Sequence, residues 1–127
     1  MAKKILLIDP PFQKFMGFSK AGIPLGLLSL AGVLKKRGHN VEVLDSDYNP
    51  AGTPYPFMSK IGHYGEYLAN LENGNHPIWE GIHSQIVRSK PDVVGISFIS
   101  TKLRSGLRVA QIAKDLGVER VVAGGRM

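Results

Sequence analysis

Eleven residues, Pro91-Asp92-Val93-Val94-Gly95-Ile96-Ser97-Phe98-Ile99-Ser100-Thr101, constrain the fold of this chain more than any others. The segment holds two adjacent β-branched valines, runs on through apolar residues, and gives way to hydroxyl groups as a helical pattern begins. Val93 to Ser97 reads as a strand covered on both faces of a parallel sheet, because neither face meets water and no alternation is needed. Its polar end falls where open α/β sheets present groups to ligands. Ile5-Leu6-Leu7-Ile8 is a second such run, and Asp9-Pro10-Pro11 closes it because proline cannot donate to a ladder. Val41, Val43 and Leu44 form a third strand that ends at Asp45-Ser46-Asp47. Val121-Val122-Ala123 forms a fourth, ending at Gly124-Gly125.

Helical patterns separate these runs. Pro24 suits a first turn, Leu27, Leu30, Ala31 and Leu34 follow at helical spacing, and Gly38 is a natural stop. A clearer helix runs from Ile78 to about Ser89, with Pro77 at its first turn and Trp79, Ile82 and Ile86 on one face. A third spans Lys102 to Leu116 and stops at Gly117. Tyr64 to Leu71 reads as a short helix, and residues 12–23 as a loop. Strand and helix alternate, which predicts an α/β domain: a three-layer, doubly wound parallel sheet with helices on both faces. The chain reads as one domain over 1–127, with a long irregular insertion at about 46–77 rich in proline, glycine and tyrosine. Connections of that length inside a compact domain are usually functional or flexible. A five-stranded sheet would add another helix and strand, so the expectation is a domain truncated after its fourth strand. That last strand would be an open edge, or would be covered by a partner such as a second copy of the chain.

Composition excludes several classes of function. The 127 residues suffice for one domain with a real core. There is no cysteine, so disulfides, thiolate metal sites, iron–sulfur clusters and cysteine nucleophiles are ruled out for this chain. No apolar run approaches the ~20 residues of a membrane span, and the start lacks a signal-peptide layout, so a cytoplasmic location is expected. The net charge of +6 is moderate, and much of it lies in Lys35-Lys36-Arg37, at a helix end where cations complement the dipole. No basic patch is interleaved with aromatics, so no nucleic-acid partner is expected.

Four clusters fall at the carboxyl ends of the strands: Asp9 to Phe12, Asp45 to Tyr48, Ser97 to Thr101, and Gly124-Gly125. Glycine pairs let a large ligand approach the backbone, and hydroxyls offer hydrogen bonds without charge. Each cluster alone also has a plain structural reading as a turn, a helix cap or a strand terminator; four at one edge favour a binding site for a bulky ligand. Asp9 and Asp45 flank the cleft, either as a general-acid pair or as acceptors for neighbouring amides. Trp79 reads as core, His76 as a helix cap and His39 as a turn residue on the opposite edge. No G-x-G-x-x-G follows the first strand, which argues against a nicotinamide or flavin site.

Three segments resemble the N-terminal cobalamin-binding domain of cobalamin-dependent radical SAM enzymes: Asp9-Pro10-Pro11-Phe12, Pro24-Leu25-Gly26-Leu27-Leu28-Ser29-Leu30-Ala31, and Arg37-Gly38-His39-Asn40-Val41-Glu42-Val43-Leu44-Asp45. Lys90-Pro91-Asp92-Val93-Val94-Gly95-Ile96-Ser97 and Val122-Ala123-Gly124-Gly125 extend the likeness over nearly the whole chain. The resemblance implies a flavodoxin-like (Rossmann-like) fold with cobalamin held against the strand ends, and Ser97, Thr101, Gly124 and Gly125 lining the site; the strand-end clusters add Ser100, Asp9, Pro10, Pro11 and Asp45 as candidate cofactor contacts. It also implies a radical SAM domain as partner, in cis or in trans. Related domains carry Asp-x-His-x-x-Gly after the first strand, and its histidine binds cobalt. Asp9-Pro10-Pro11-Phe12 stands there instead, so that ligand is absent and the cobalt's lower face is expected to lack a protein histidine. Without cysteine the chain alone cannot perform radical SAM chemistry, and it reads as the cofactor-holding portion. The N-terminal half also resembles the acceptor domain of two-domain glycosyltransferases, a likeness that ends near Asp45. A non-catalytic flavodoxin-like interaction module is the remaining alternative.

Overall fold

The computed structural model describes residues 2–16, 24–48, 64–97 and 102–124. Its strands are β1 (Lys4–Asp9), β2 (Asn40–Asp45), β3 (Val93–Ser97) and β4 (Arg120–Gly124). Its α-helices are α1 (Leu25–Lys36), α2 (Tyr64–Glu72), α3 (Pro77–Ser89) and α4 (Leu103–Asp115), with a 3-10 turn over Gln13–Met16. The strands form one parallel sheet in the order β2-β1-β3-β4. The chain therefore steps from β1 to one side and returns to build on the other. That reversal places a topological switch point between β1 and β3, where open α/β sheets leave a crevice beyond the strand ends.

Side-chain alternation assigns the two faces. Ile5 and Leu7 of β1 pack with Val41 beneath Leu27 and Ala31 of α1. Leu6 and Ile8 turn the other way, joining Val94 and Ile96 of β3 against α3 and α4. The second face is the larger core, holding Trp79, Ile82 and Ile86 of α3 with Val109 and Ala113 of α4. It extends past the sheet into the 3-10 turn and α2, where Phe12 meets Tyr67 edge to face at 4.6 Å between centroids. The loop reading of residues 12–23 thus missed this turn. Phe12, Phe15 and Met16 are buried, and their burial overrides a local composition that looked irregular. The short helix expected from Tyr64 is present, and its Tyr67 is core.

The ends of the helices follow local rules. Gly38 after α1 and Gly117 after α4 take left-handed backbone at φ 90° and 80°, which glycine adopts without penalty. Helix α3 starts on His76, whose Nδ1 accepts the Ile78 N–H at 3.2 Å, with Pro77 in the first turn. It stops at Lys90, left-handed at φ 48°, just before Pro91. Ser89 Oγ donates to Glu42 Oε2 at 2.9 Å and fastens this helix to β2.

Candidate functional site

Two of the four predicted clusters are described in full and the other two by their first residues, Ser97 and Gly124; all four lie at the carboxyl edge of the sheet, but not in one cavity. Ser97 and Gly124 face each other in register across β3 and β4. They share the α1 side of the sheet with Gly95, since β3 turns Val94 and Ile96 into the opposite core. Here β3 and β4 extend beyond the cover that α1 gives to β1 and β2, and the gap is a cavity of about 380 Å³. Gly26 and Leu30 of α1 form one wall; Gly95, Ser97, Val122 and Gly124 form the other. Among the described residues no charged side chain lines it.

Missing side chains shape this cavity. A Cβ at position 95 would lie 2.7 Å from Leu7 Cδ2, so only glycine lets the floor pass that close to β1. A Cβ at Gly26 or Gly124 would meet nothing within 4 Å, so the space beside them is open. The result is an apolar slot with bare backbone and one hydroxyl. Its size falls within the ~300–1,000 Å³ of small-molecule sites. A flat, uncharged ring system with a few hydrogen-bonding groups suits such a lining. Ser100, Thr101 and Gly125, which continue the same edge in sequence, lie outside the described residues.

Asp45 lines a separate cavity of about 370 Å³ on the opposite side, with Lys14, Ser46 and His76. Burial, and then the charge of Lys14, hold the His76 imidazole below its ordinary pKa. Asp9 turns toward Lys102, whose Nζ lies 2.9 Å from Asp9 Oδ1. Pro10 and Pro11 are fully buried behind it. The connection after β1 therefore offers no imidazole: Pro11 stands two residues after Asp9, and Phe12 runs down into the core.

Two residues at this edge have a part that the sequence reading did not give them: Asp47, named only as a member of the Asp45 to Tyr48 cluster, and Lys102. Asp47 is wholly buried, accepts the N–H groups of Phe12 and Lys14 at 2.8 and 2.9 Å, and lies 3.2 Å from Lys102 Nζ. Lys102 looked like the first residue of an ordinary helix. The one available signal for Asp47 was its place in Asp45-Ser46-Asp47, immediately after a buried strand.

A family model described as B12-binding, B12 binding domain, matches residues 18–127. The match spans α1 through β4 and so includes the half of the chain on which the glycosyltransferase likeness is silent. No curated protein and no solved structure matches the chain.

Proposed function

From the premise that this chain belongs to the B12 binding domain family, with cobalamin as its cofactor, we propose that it is the corrinoid-holding unit of a radical SAM methyltransferase-type enzyme. The observation that carries the reading is the uncharged slot at the strand ends, framed by Gly26, Gly95, Ser97 and Gly124. In this reading the slot takes the nucleotide tail. Gly95 and Gly124 leave it room, and the Ser97 hydroxyl offers a hydrogen bond to the tail or to a corrin amide. Ser100, Thr101 and Gly125 follow in sequence and would add donors and bare backbone, Asp45 would border the corrin, and the buried Asp9, Pro10 and Pro11 would support that edge from beneath. Bound cobalamin supplies a metal centre that accepts and donates methyl groups. The protein's own part is to bind, orient and shield the cofactor without a histidine beneath it.

The catalytic partner in this reading is a radical SAM domain, in cis or in trans, carrying its iron–sulfur cluster on Cys-x-x-x-Cys-x-x-Cys. The outer ladder of β4 is the sheet edge nearest the slot, and that domain or a second copy of this chain would cover it. No helix among the described residues is long and apolar enough to cross a membrane, in keeping with a cytoplasmic enzyme.

Electron paramagnetic resonance of the chain loaded with cobalt(II) cobalamin tests the histidine-free site. With the tail drawn into the slot and no imidazole below, the spectrum should lack nitrogen splitting. Splitting that disappears when a histidine of this chain is replaced would overturn this part of the reading. The partner is tested by the coding sequence that flanks this chain: a cysteine triplet should be found in the same or a neighbouring reading frame, and its absence from both would remove the radical SAM context.

A further inference from the structure

An ammonium and two carboxylates that the tail-binding slot does not use meet at the sheet's switch point. Asp9 ends β1, Asp47 sits in the turn after β2, and Lys102 heads α4 after β3. Lys102 Nζ lies 2.9 Å from Asp9 Oδ1 and 3.2 Å from Asp47 Oδ2. A single cation thus joins the outgoing connections of three strands.

Each arm is fastened further. Asp47 Oδ1 takes the backbone N–H groups of Phe12 and Lys14, which fixes the path after β1. The Asp47 N–H donates to Asp45 Oδ1 at 3.1 Å. The Ser46 N–H and Oγ both donate to the Asp9 carbonyl, closing the turn after β2 onto the end of β1. Ser105 Oγ donates to the Lys102 carbonyl at 3.1 Å and secures the first turn of α4. The side chains of Lys102 and Asp9 are each only 13% exposed, and that of Asp47 is 1% exposed. Charges this enclosed persist only when paired and hydrogen-bonded. They differ in kind from the solvated Lys35 and Lys36.

Ordering loops at the moment of binding costs affinity, and loops tied down beforehand escape that loss. We infer that Lys102 is a positioning residue of the cofactor site: with Asp9 and Asp47 it latches three strand-end connections into one preorganised edge. This inference rests on the cobalamin reading for the identity of the ligand, while the latch itself is measurable without any ligand.

Replacing Lys102 alone with methionine leaves two carboxylates facing each other and weakens folding for that reason alone. The decisive variant is therefore the double substitution Asp47→Asn with Lys102→Met. It removes one charge of each sign, so the local net charge is kept. The asparagine oxygen still accepts from Phe12 and Lys14, while the contacts of Lys102 Nζ with both Asp9 and Asp47 are lost. Two quantities are read on the full chain: amide hydrogen exchange over residues 12–16 and 45–48 without cofactor, and the Kd for hydroxocobalamin by visible absorbance. With circular dichroism unchanged, exchange should accelerate at least tenfold and Kd should rise at least tenfold. Lys102→Arg, which restores the cation, should recover most of both. Unchanged exchange in the double variant, or a Kd within twofold of the parent chain, would overturn the latch. A parent chain that fails to bind, in a protein whose exchange responds as expected, would overturn the cofactor assignment and leave the latch standing.

Discussion

At the scale of single residues, the structure turns on a few atoms whose neighbours leave them little choice. His76 is one. Its Nδ1 accepts the Ile78 N–H, which only the neutral ring can do, and burial with Lys14 nearby lowers its pKa. The unfolded chain therefore binds a proton more readily than the folded one. Stability is fully present above the unfolded value of about 6.5 and declines as pH falls through it toward the lower folded value. His76→Asn should keep the cap and abolish this dependence, seen as matching urea midpoints at pH 7.5 and 5.5. His76→Ala should lose about 1 kcal/mol at neutral pH. Gly95 is another. A Cβ there would lie 2.7 Å from Leu7 Cδ2, so the buried Leu7 side chain would have to shift to make room. Gly95→Ala should destabilise by roughly 1–3 kcal/mol in denaturant titration. Combining it with Leu7→Ala should relieve the steric part, giving a double-mutant loss smaller than the sum of the single ones.

At the scale of elements, strands were the most legible and the turn after β1 the least. Val93 to Ser97 was read at its observed limits, and the other strands to within about a residue at each end, because continuous apolar runs between prolines and glycines admit few alternatives. The helices from Pro77 and Lys102 were equally plain, since Trp79, Ile82 and Ile86 mark one face and Gly117 marks a stop. The 3-10 turn over Gln13–Met16 left no such trace. It exists because Phe12 and Phe15 reach sideways to Tyr67, a partner more than fifty residues away. Helix α1 shows the limit of periodicity: Leu27 and Ala31 are buried as expected, while Leu30 is 45% exposed and turns toward the slot beside β3 and β4. The end of α3 carries its own prediction. Lys90 holds a left-handed backbone that costs an ordinary residue about 1–2 kcal/mol. Lys90→Gly should therefore stabilise the chain, by up to about 1 kcal/mol once glycine's greater unfolded freedom is counted, visible as a higher melting temperature.

At the scale of the whole molecule, the sheet order explains why distant segments share an edge. With β1 and β3 adjacent at the switch point, Asp9 meets the end of β3 and Lys102 although it lies far from both in sequence. The edge itself was legible, because strand ends in a parallel sheet must gather on one side. Its division into a neutral slot, a buried ion cluster and a separate cavity at Asp45 was not. That division depends on which way each side chain points, and on Asp47 and Lys102 finding each other across two crossovers. The central claim is that the slot framed by glycines and Ser97 receives cobalamin. Visible-absorbance titration with hydroxocobalamin, run on the parent chain and on Gly124→Leu, tests it most directly. Position 124 has open space around it, so the leucine should leave the fold intact and fill the slot. The account predicts a saturable spectral change for the parent chain that is lost in the variant. A folded parent chain that gives no change at high micromolar cofactor, or a leucine variant that binds as tightly as the parent, would contradict it.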